Sequence, residues 1–483
     1  MAFDVKDRAR RALLENGFEP DFPPQVDDQV ARLRSDPPAP PPGLEDLTGL
    51  LWSSIDNPDS MDLDQLEWAE HLPDGSTRLL VAIADVDALV PTESPADVRA
   101  AANTTSLYTG AVVFPMLPPA LSEDMSSLLP TGERAAVIIG YRVLPDGGVT
   151  EGTVRQARVR NRAKLSYPDL GPWLGGNAPV PPSVSAVAGL EAQLRLQDQA
   201  TRLLRKARDA QGALELRTLE PRAVMADGRV VDLEDVPDSR SRELIEDLMV
   251  AANGVMARFL DAAGRSGLAR IVRQPKRWDR IVELAQGLGT QLPATPDGKA
   301  LARFLDRQKA RDPLHFPDLS LSVVKLLGPG EYALKRAGED GIGHFGLAAQ
   351  DYSHSTAPNR RYPDLITQRL VKALLAAQPA PYSDAELQGI AQHTTEMEAA
   401  SRKVERLMRK VLAALLLRGR VGETFDGLVT GVTEAGTFVR LLQPPAEGRV
   451  VRGEKGMDVG DRVRVKLLAT DPERGFIDFA GQR

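Results

Sequence analysis

The stretch Ser54-Ile55-Asp56-Asn57-Pro58-Asp59-Ser60-Met61-Asp62-Leu63-Asp64-Gln65 constrains the fold more than any other, because it crowds four carboxylates into nine residues among turn formers. Like charges this close repel, and a folded chain can hold them together only where cations or paired bases neutralise them. Any fold must therefore bring compensating charge to this loop from elsewhere. Carboxylate oxygens are natural ligands of Mg²⁺ or Mn²⁺, and Asp56, Asp62 and Asp64 can converge on a cation if the loop folds back, with Gln65 adding an amide oxygen. A calcium loop and a polar turn are the competing readings. The first lacks the glycine at the required offset, and the second leaves so many acids unexplained.

At 483 residues the chain exceeds one ordinary core, so a large domain with smaller ones attached is expected. No apolar run reaches bilayer length, and the charged start Met1-Ala2-Phe3-Asp4-Val5-Lys6-Asp7-Arg8 lacks the apolar segment of a signal peptide. The absence of cysteine excludes disulfides, thiolate zinc sites and thiol nucleophiles. A cytoplasmic protein with no membrane partner is the expectation. A net charge of −7 argues against a uniformly basic nucleic-acid coat, which leaves local basic clusters to decide the matter.

Two short helices are expected at Val5 to Glu15 and Gln25 to Arg34, a small helical unit that could be helix-turn-helix-like. Arg8, Arg10, Arg11, Arg32 and Arg34 could touch phosphates, although a solvated helix face is the simpler reading. Pro37-Pro38-Ala39-Pro40-Pro41-Pro42-Gly43 makes a stiff spacer and the first domain boundary. Thr77 to Val90 reads as a buried strand, and Ala135 to Val143 and Val149 to Val159 form a hairpin about Pro145-Asp146-Gly147-Gly148. Arg158, Arg160 and Arg162 then share one face of an extended chain, either as a phosphate track or as a basic face that resists edge pairing. Gly171 to Gly189 reads as a loop. Helices follow at Leu190 to Gln211, Ser241 to Ala263, Trp278 to Gly287 and Pro363 to Ala377.

A long helix from Ser383 to Leu417 opens on a capping box with Glu386. Beyond Gly422 the texture changes to short strands, Phe425 to Thr430, Thr437 to Leu442, Arg462 to Leu468 and Gly475 to Phe479, which is the pattern of a small OB-type barrel. Phe425 and Phe438 could be stacking platforms for a single strand or simply core. The expected fold class is α+β, divided into a helical unit over 1–40, a large mixed α/β domain over 44–418 and a barrel over 420–483.

The second constellation is Asp351-Tyr352-Ser353-His354-Ser355-Thr356-Ala357-Pro358-Asn359-Arg360-Arg361-Tyr362-Pro363-Asp364. Pro363 opens a helix, so Arg360 and Arg361 stand at its positive end, where guanidinium groups and free amides suit phosphate. A structural arginine paired with Asp364 is the competing reading and can hold for one of the two. Glu405, among Arg402, Lys403, Arg406 and Arg409, passes in isolation for an ordinary helix ion pair.

Together these residues resemble the ribonuclease II (RNB) family of 3′-to-5′ exoribonucleases from about Leu47 onward. The family's acidic signature is matched at Asp56, Asp62 and Asp64, with Gln65 in the place of a fourth aspartate. Further similar phrases are Val81 to Val86, Phe114 to Pro118, Leu244 to Met249, His344 to Ala348 and Tyr352 to Asp364, and the barrel looks like an S1 domain. The resemblance implies a channel that admits single-stranded RNA and a Mg²⁺ site, with Mn²⁺ as the alternative, that releases nucleoside 5′-monophosphates processively. It implies that Asp56, Asp62 and Asp64 hold metal, that Arg360 neutralises the scissile phosphate and that Glu405 lies near the metal. It also implies that Tyr108 stacks on a base, and that Tyr167 and Glu246 lie near the RNA 3′ end.

Three departures stand out. Gln65 carries no charge, so metal affinity falls, the second metal is held differently or Asp59 compensates. Leu216 stands where the family has a base-clamping aromatic. The first forty residues are too few for the cold-shock barrels with which many bacterial members begin, and an open channel mouth would discriminate less against structured RNA. The leading expectation is an active monomeric exonuclease, and the alternatives are a catalytically weak or inactive RNA-binding protein on the same fold and a phosphodiesterase acting on small nucleotides.

Overall fold

The computed structural model describes residues 3–39, 43–218, 221–226, 228–234, 238–434 and 436–482. Pro40, Pro41 and Pro42 of the expected spacer lie outside the described residues. The central sheet runs in the order Glu45–Asp46, Val149–Ser166, Trp52–Asp56, Gln65–His71, Thr77–Ala84 and Glu133–Val143, and its last strand pairs back onto Val149–Ser166. That return is the expected hairpin. Its second strand runs on to Ser166, so its first half pairs antiparallel with Glu133–Val143 and its end runs parallel to Trp52–Asp56. Ile55, Leu66, Val81, Ala82, Ile138 and Ile139 are all buried within this sheet.

The strand from Thr77 ends at Ala84, short of Val90. Asp85 and Asp87 turn out of it to meet Lys372 at 2.7 and 2.8 Å, so ion pairing with the Tyr362–Leu375 helix ends the ladder. The expected loop from Gly171 is entered by a helix, Tyr167–Leu174, whose start is capped by the Ser166 hydroxyl accepting the Asp169 N–H. Arg158 lies 3.0 Å from both Asp46 and Glu133, Arg160 lies 3.0 Å from Glu133, and Arg162 donates to the Thr48 carbonyl. The basic strand face is therefore met by the sheet's own carboxylates rather than laid out as a phosphate track.

The helices Val5–Glu15 and Pro24–Ser35 do not pack as one unit. The first buries Ala9 and Leu13 against the long helix and the barrel, and the second buries Val26 and Val30 in the sheet's core. Of the arginines on the first helix, Arg8 and Arg11 pair with Glu473 of the barrel and Arg10 pairs with Asp21. The long helix Asp384–Leu417 has its capping box and joins the two cores, with Leu387 and Ala391 in one and Val404, Met408 and Val411 in the other. A third core holds the helices Trp278–Gly287, Gly298–Arg311 and Phe316–Leu327 about Trp278, Phe304 and Phe316, with Leu216 packed against it.

The C-terminal barrel is closed by five strands, Thr424–Thr433, Gly436–Leu441, Glu447–Arg452, Phe476–Gln482 and Arg462–Asp471. Glu447–Arg452, the strand absent from the sequence reading, holds only one adjacent pair of bulky apolar residues, Val450 and Val451. It also holds Gly448, where a Cβ would stand 2.6 Å from the Ile477 carbonyl. Phe425 is buried, with the Arg420 guanidinium 4.6 Å above its ring, so it is core and offers no stacking face. Phe438 is half-buried.

Candidate active site

The acidic loop is carried between the antiparallel strands Trp52–Asp56 and Gln65–His71, whose Ser53 and Glu67 stand opposite each other. Its backbone is pinned from behind. The Leu63 N–H donates to Ser127 Oγ at 2.9 Å, the Leu63 carbonyl accepts the Leu128 N–H, and the Asp64 carbonyl accepts the Ala84 N–H. The loop is thereby fixed in the shape that repulsion among its acids opposes.

Asp64 is the deepest of the acids at 2% exposed. Its Oδ1 accepts the Asn359 N–H at 3.0 Å, whereas Oδ2 is buried without a hydrogen-bond partner. The Arg360 Nε lies 3.5 Å from that same Oδ2. Burial pushes the Asp64 carboxyl up to about 7 against the pull of Arg360. Asp62 is also raised, chiefly by burial and further by the charge of Asp56. Asp56 ends its strand and accepts the Asn57 N–H, and Gln65 opens the next strand opposite Ile83.

The two adjacent arginines divide their roles. Arg361 binds Asp364 at 2.7 Å, both side chains are inward, and Asp364 also accepts the Ala357 N–H. Arg361 is the structural member. Arg360 faces the acids, and its carbonyl accepts the Ser106 N–H, which ties it to the segment that carries Tyr108.

Tyr108, 46% exposed, lines a cleft of about 1030 Å³ together with Asp62, Asn359, Arg242, Glu405 and Arg409. Glu405 Oε1 lies 3.5 Å from the Tyr108 N–H and 3.4 Å from Ser401 Oγ. Tyr167 is half-buried beneath the Arg242 guanidinium, 4.4 Å from its ring, and its hydroxyl pKa is raised by burial and by Asp56. Arg242 in turn donates to Asn57 of the loop at 3.1 Å. Glu246 is not among the cleft-lining residues and pairs with Arg205 and Arg208.

Sequence reasoning missed two features. A hairpin of Arg222–Ala226 and Arg229–Glu234 forms a wall of the cleft, and its strands of five and six residues are too short to carry much periodic signal. Glu67 is wholly buried with neither carboxyl oxygen hydrogen-bonded, and its pKa is raised well above the usual range by burial and then by Asp56. A carboxylate inside the alternating run Gln65 to Ala69 was the available signal.

Among the described residues no three acidic or histidine side chains stand close enough together to enclose a metal. Mg²⁺ does not need such a cage, since it retains waters and takes one or two carboxylates plus substrate phosphate. Asp64 Oδ2, which accepts no hydrogen bond, and the nearby carboxylate of Asp62 fit that mode.

Residues 44–377 match the RNB domain. The chain belongs to the RNB-domain family. Within it the RNB domain is followed by a match to the RNase II-type exonuclease C-terminal S1 domain over residues 423–481, the five-stranded barrel. Among RNB relatives, Ribonuclease R 1 of Lactococcus lactis is 28% identical over 95% of this chain and 59% of its own length. Ribonuclease R of Escherichia coli is 29% identical over 95% of this chain and 60% of its own. The chain thus spans about three fifths of these curated relatives. A solved structure of Mycoplasma genitalium RNase R in complex with ribose-methylated single-stranded RNA shares the fold, with a TM-score of 0.87 at 23% identity over 99% of this chain and 78% of that one. No helix among the described residues is long and apolar enough to cross a membrane.

Proposed function

We propose that this chain is a processive 3′-to-5′ exoribonuclease that hydrolyses single-stranded RNA to nucleoside 5′-monophosphates during RNA turnover in the cytoplasm, acting as a monomer. The observation that carries this reading is the pairing of Arg360 with the buried, half-satisfied Asp64 beside the cleft. Relatives named Ribonuclease R and a fold neighbour with RNA bound support it. Exoribonucleases with an RNB domain are generally dependent on a divalent metal, and here we assign Mg²⁺, with Mn²⁺ as a substitute. Asp56, Asp62 and Asp64, with the Gln65 amide oxygen, would hold the cation, which when bound activates water and neutralises charge at the phosphate.

The protein's own groups do the rest. Arg360 places a fixed guanidinium where charge gathers on the phosphate oxygens, and the dry floor around Asp64 strengthens that interaction. Tyr108 offers an exposed ring at the cleft wall for a base. Tyr167 is not itself among the cleft-lining residues but lies under Arg242, which lines the cleft as Glu405 does, so an RNA 3′ end resting against Arg242 would meet its ring. Hydrolysis breaks the bond between phosphorus and the preceding 3′ oxygen; the phosphate keeps the hydroxyl of water and the 3′ oxygen takes the proton. We assign residues 44–418 to catalysis, 420–483 to RNA guidance and 1–40 to a helical appendage docked on both.

The test is incubation of labelled single-stranded RNA with Mg²⁺ and wild-type or Asp64→Asn protein. Stepwise release of 5′-monophosphates from the 3′ end, abolished by the substitution while RNA binding survives, is the expected result. Binding without cleavage under either Mg²⁺ or Mn²⁺ would instead make this an RNA-binding member of the family.

A further inference from the structure

Asp59 is the acid of the loop that has turned away from the others. It is 71% exposed, and its Oδ2 lies 3.4 Å from Nη2 of Arg222, which is itself 59% exposed. These partners are 163 residues apart in sequence and come from two walls of one cleft, the acidic loop and the Arg222–Ala226 hairpin, and both line it. The hairpin is anchored independently of this contact, because Ala223 and Leu233 are buried in the core shared with the long helix. Asp59 therefore does not replace the charge missing at Gln65.

An ion pair this exposed contributes little to stability and is readily exchanged. A phosphate offers a guanidinium two acceptor oxygens in the bidentate geometry that it prefers. We propose that Arg222 is an RNA-backbone contact, held by Asp59 while the cleft is empty and transferred to a phosphate of the incoming strand. Asp59 is then an internal competitor for that phosphate. The inference rests on the reading of the cleft as an RNA site, and it adds to Arg360 a second phosphate-binding arginine on the facing wall.

Opposite signs separate this from a structural latch. Affinity for a labelled single-stranded RNA is measured by anisotropy in EDTA, across a salt series, for wild type, Arg222→Ala and Asp59→Asn. Loss of one phosphate contact lowers the slope of log K against log salt by about 0.7 for a single strand. Arg222→Ala is expected to bind more weakly with that smaller slope, and Asp59→Asn to bind more tightly than wild type. If the pair only fastens the hairpin to the loop, both substitutions weaken binding alike, and the proposal is overturned. Unchanged affinity in both variants overturns it too. Failure of the wild type to bind RNA strikes the functional reading itself.

Discussion

Arg360 and Arg361 are adjacent, yet alanine at each should produce opposite defects. Arg361→Ala leaves Asp364, which is 0% exposed, with a lone backbone donor for a buried charge. Removing one partner of a buried pair costs about 3–5 kcal/mol. For the domain over residues 44–377, at about 2.1 cal/mol/K of unfolding entropy per residue, that is a fall in melting temperature of about 4–7 °C. Arg360 is different, because its side chain is 45% exposed and its partner Asp64 already titrates at about 7. Deprived of Arg360, Asp64 takes up a proton instead of standing as an unpaired charge, so the stability cost stays at about 1 kcal/mol or less. The catalytic loss should be about 10²–10³-fold in kcat, the scale for deleting one preorganised charge-stabilising donor. Differential scanning fluorimetry and single-turnover RNA hydrolysis read the two axes separately. Equal destabilisation by both substitutions, or a wild-type melting temperature for Arg361→Ala, would refute the division of roles.

Because folding raises Asp64 from 3.8 to about 7, the folded state binds the extra proton between these values and the metal-free protein loses stability as pH rises through that window. Asp64→Asn removes this slope, so urea unfolding should show the variant equal to wild type near pH 4 and more stable at pH 8, by up to about 4 kcal/mol at 1.36 kcal/mol per unit; a gap independent of pH would contradict the assignment. Tyr108→Ala should weaken single-stranded RNA binding by about 1–3 kcal/mol, the scale of one base stacked on an aromatic ring, with no change in melting temperature, since the ring is half-exposed; an unaltered Kd argues against stacking. Glu67→Gln should gain in melting temperature over wild type as pH rises from 4 to 8, because the folded state holds a carboxyl whose pKa burial raises well above the usual range while an amide needs no proton; a difference independent of pH would contradict this.

Local signals carried much of the fold. The hairpin about Pro145 to Gly148 and the capping box at Ser383 are set by residues a few positions apart, and both are in place. The helix Gly298–Arg311, which is not among the elements expected from the sequence, has local signals of its own in its Asp297 cap and in Leu301, Phe304 and Leu305 on one face. What could not be read was decided at a distance. The end of the Thr77 strand is set by Lys372; the first helix docks on Glu473 and the long helix, hundreds of residues away, and Gln29 of the second bonds Leu89 and Ala96, 60 and 67 residues on. The burial of Phe425 likewise depends on the long helix and Arg420, so a local run of alternating residues left its role undecided.

The acidic loop demanded compensating charge from elsewhere, and the structure supplies it only in part. Arg360 reaches Asp64, Arg222 reaches Asp59 and Arg242 reaches Asn57, each from a different part of the chain. Arg360 relieves Asp62 only in part, since burial still holds its pKa up, and none of the three supplies the second oxygen of Asp64 with a hydrogen bond. A fourth aspartate at position 65 would add to that repulsion in the empty site, whereas Gln65 offers an oxygen without charge. Gln65 therefore adds no further negative charge to the acids around it. A loop designed only to fold would have closed this imbalance with hydrogen bonds. Here the unsatisfied oxygen and the exposed guanidinium remain side by side, with the geometry that a phosphate and its cation together would complete.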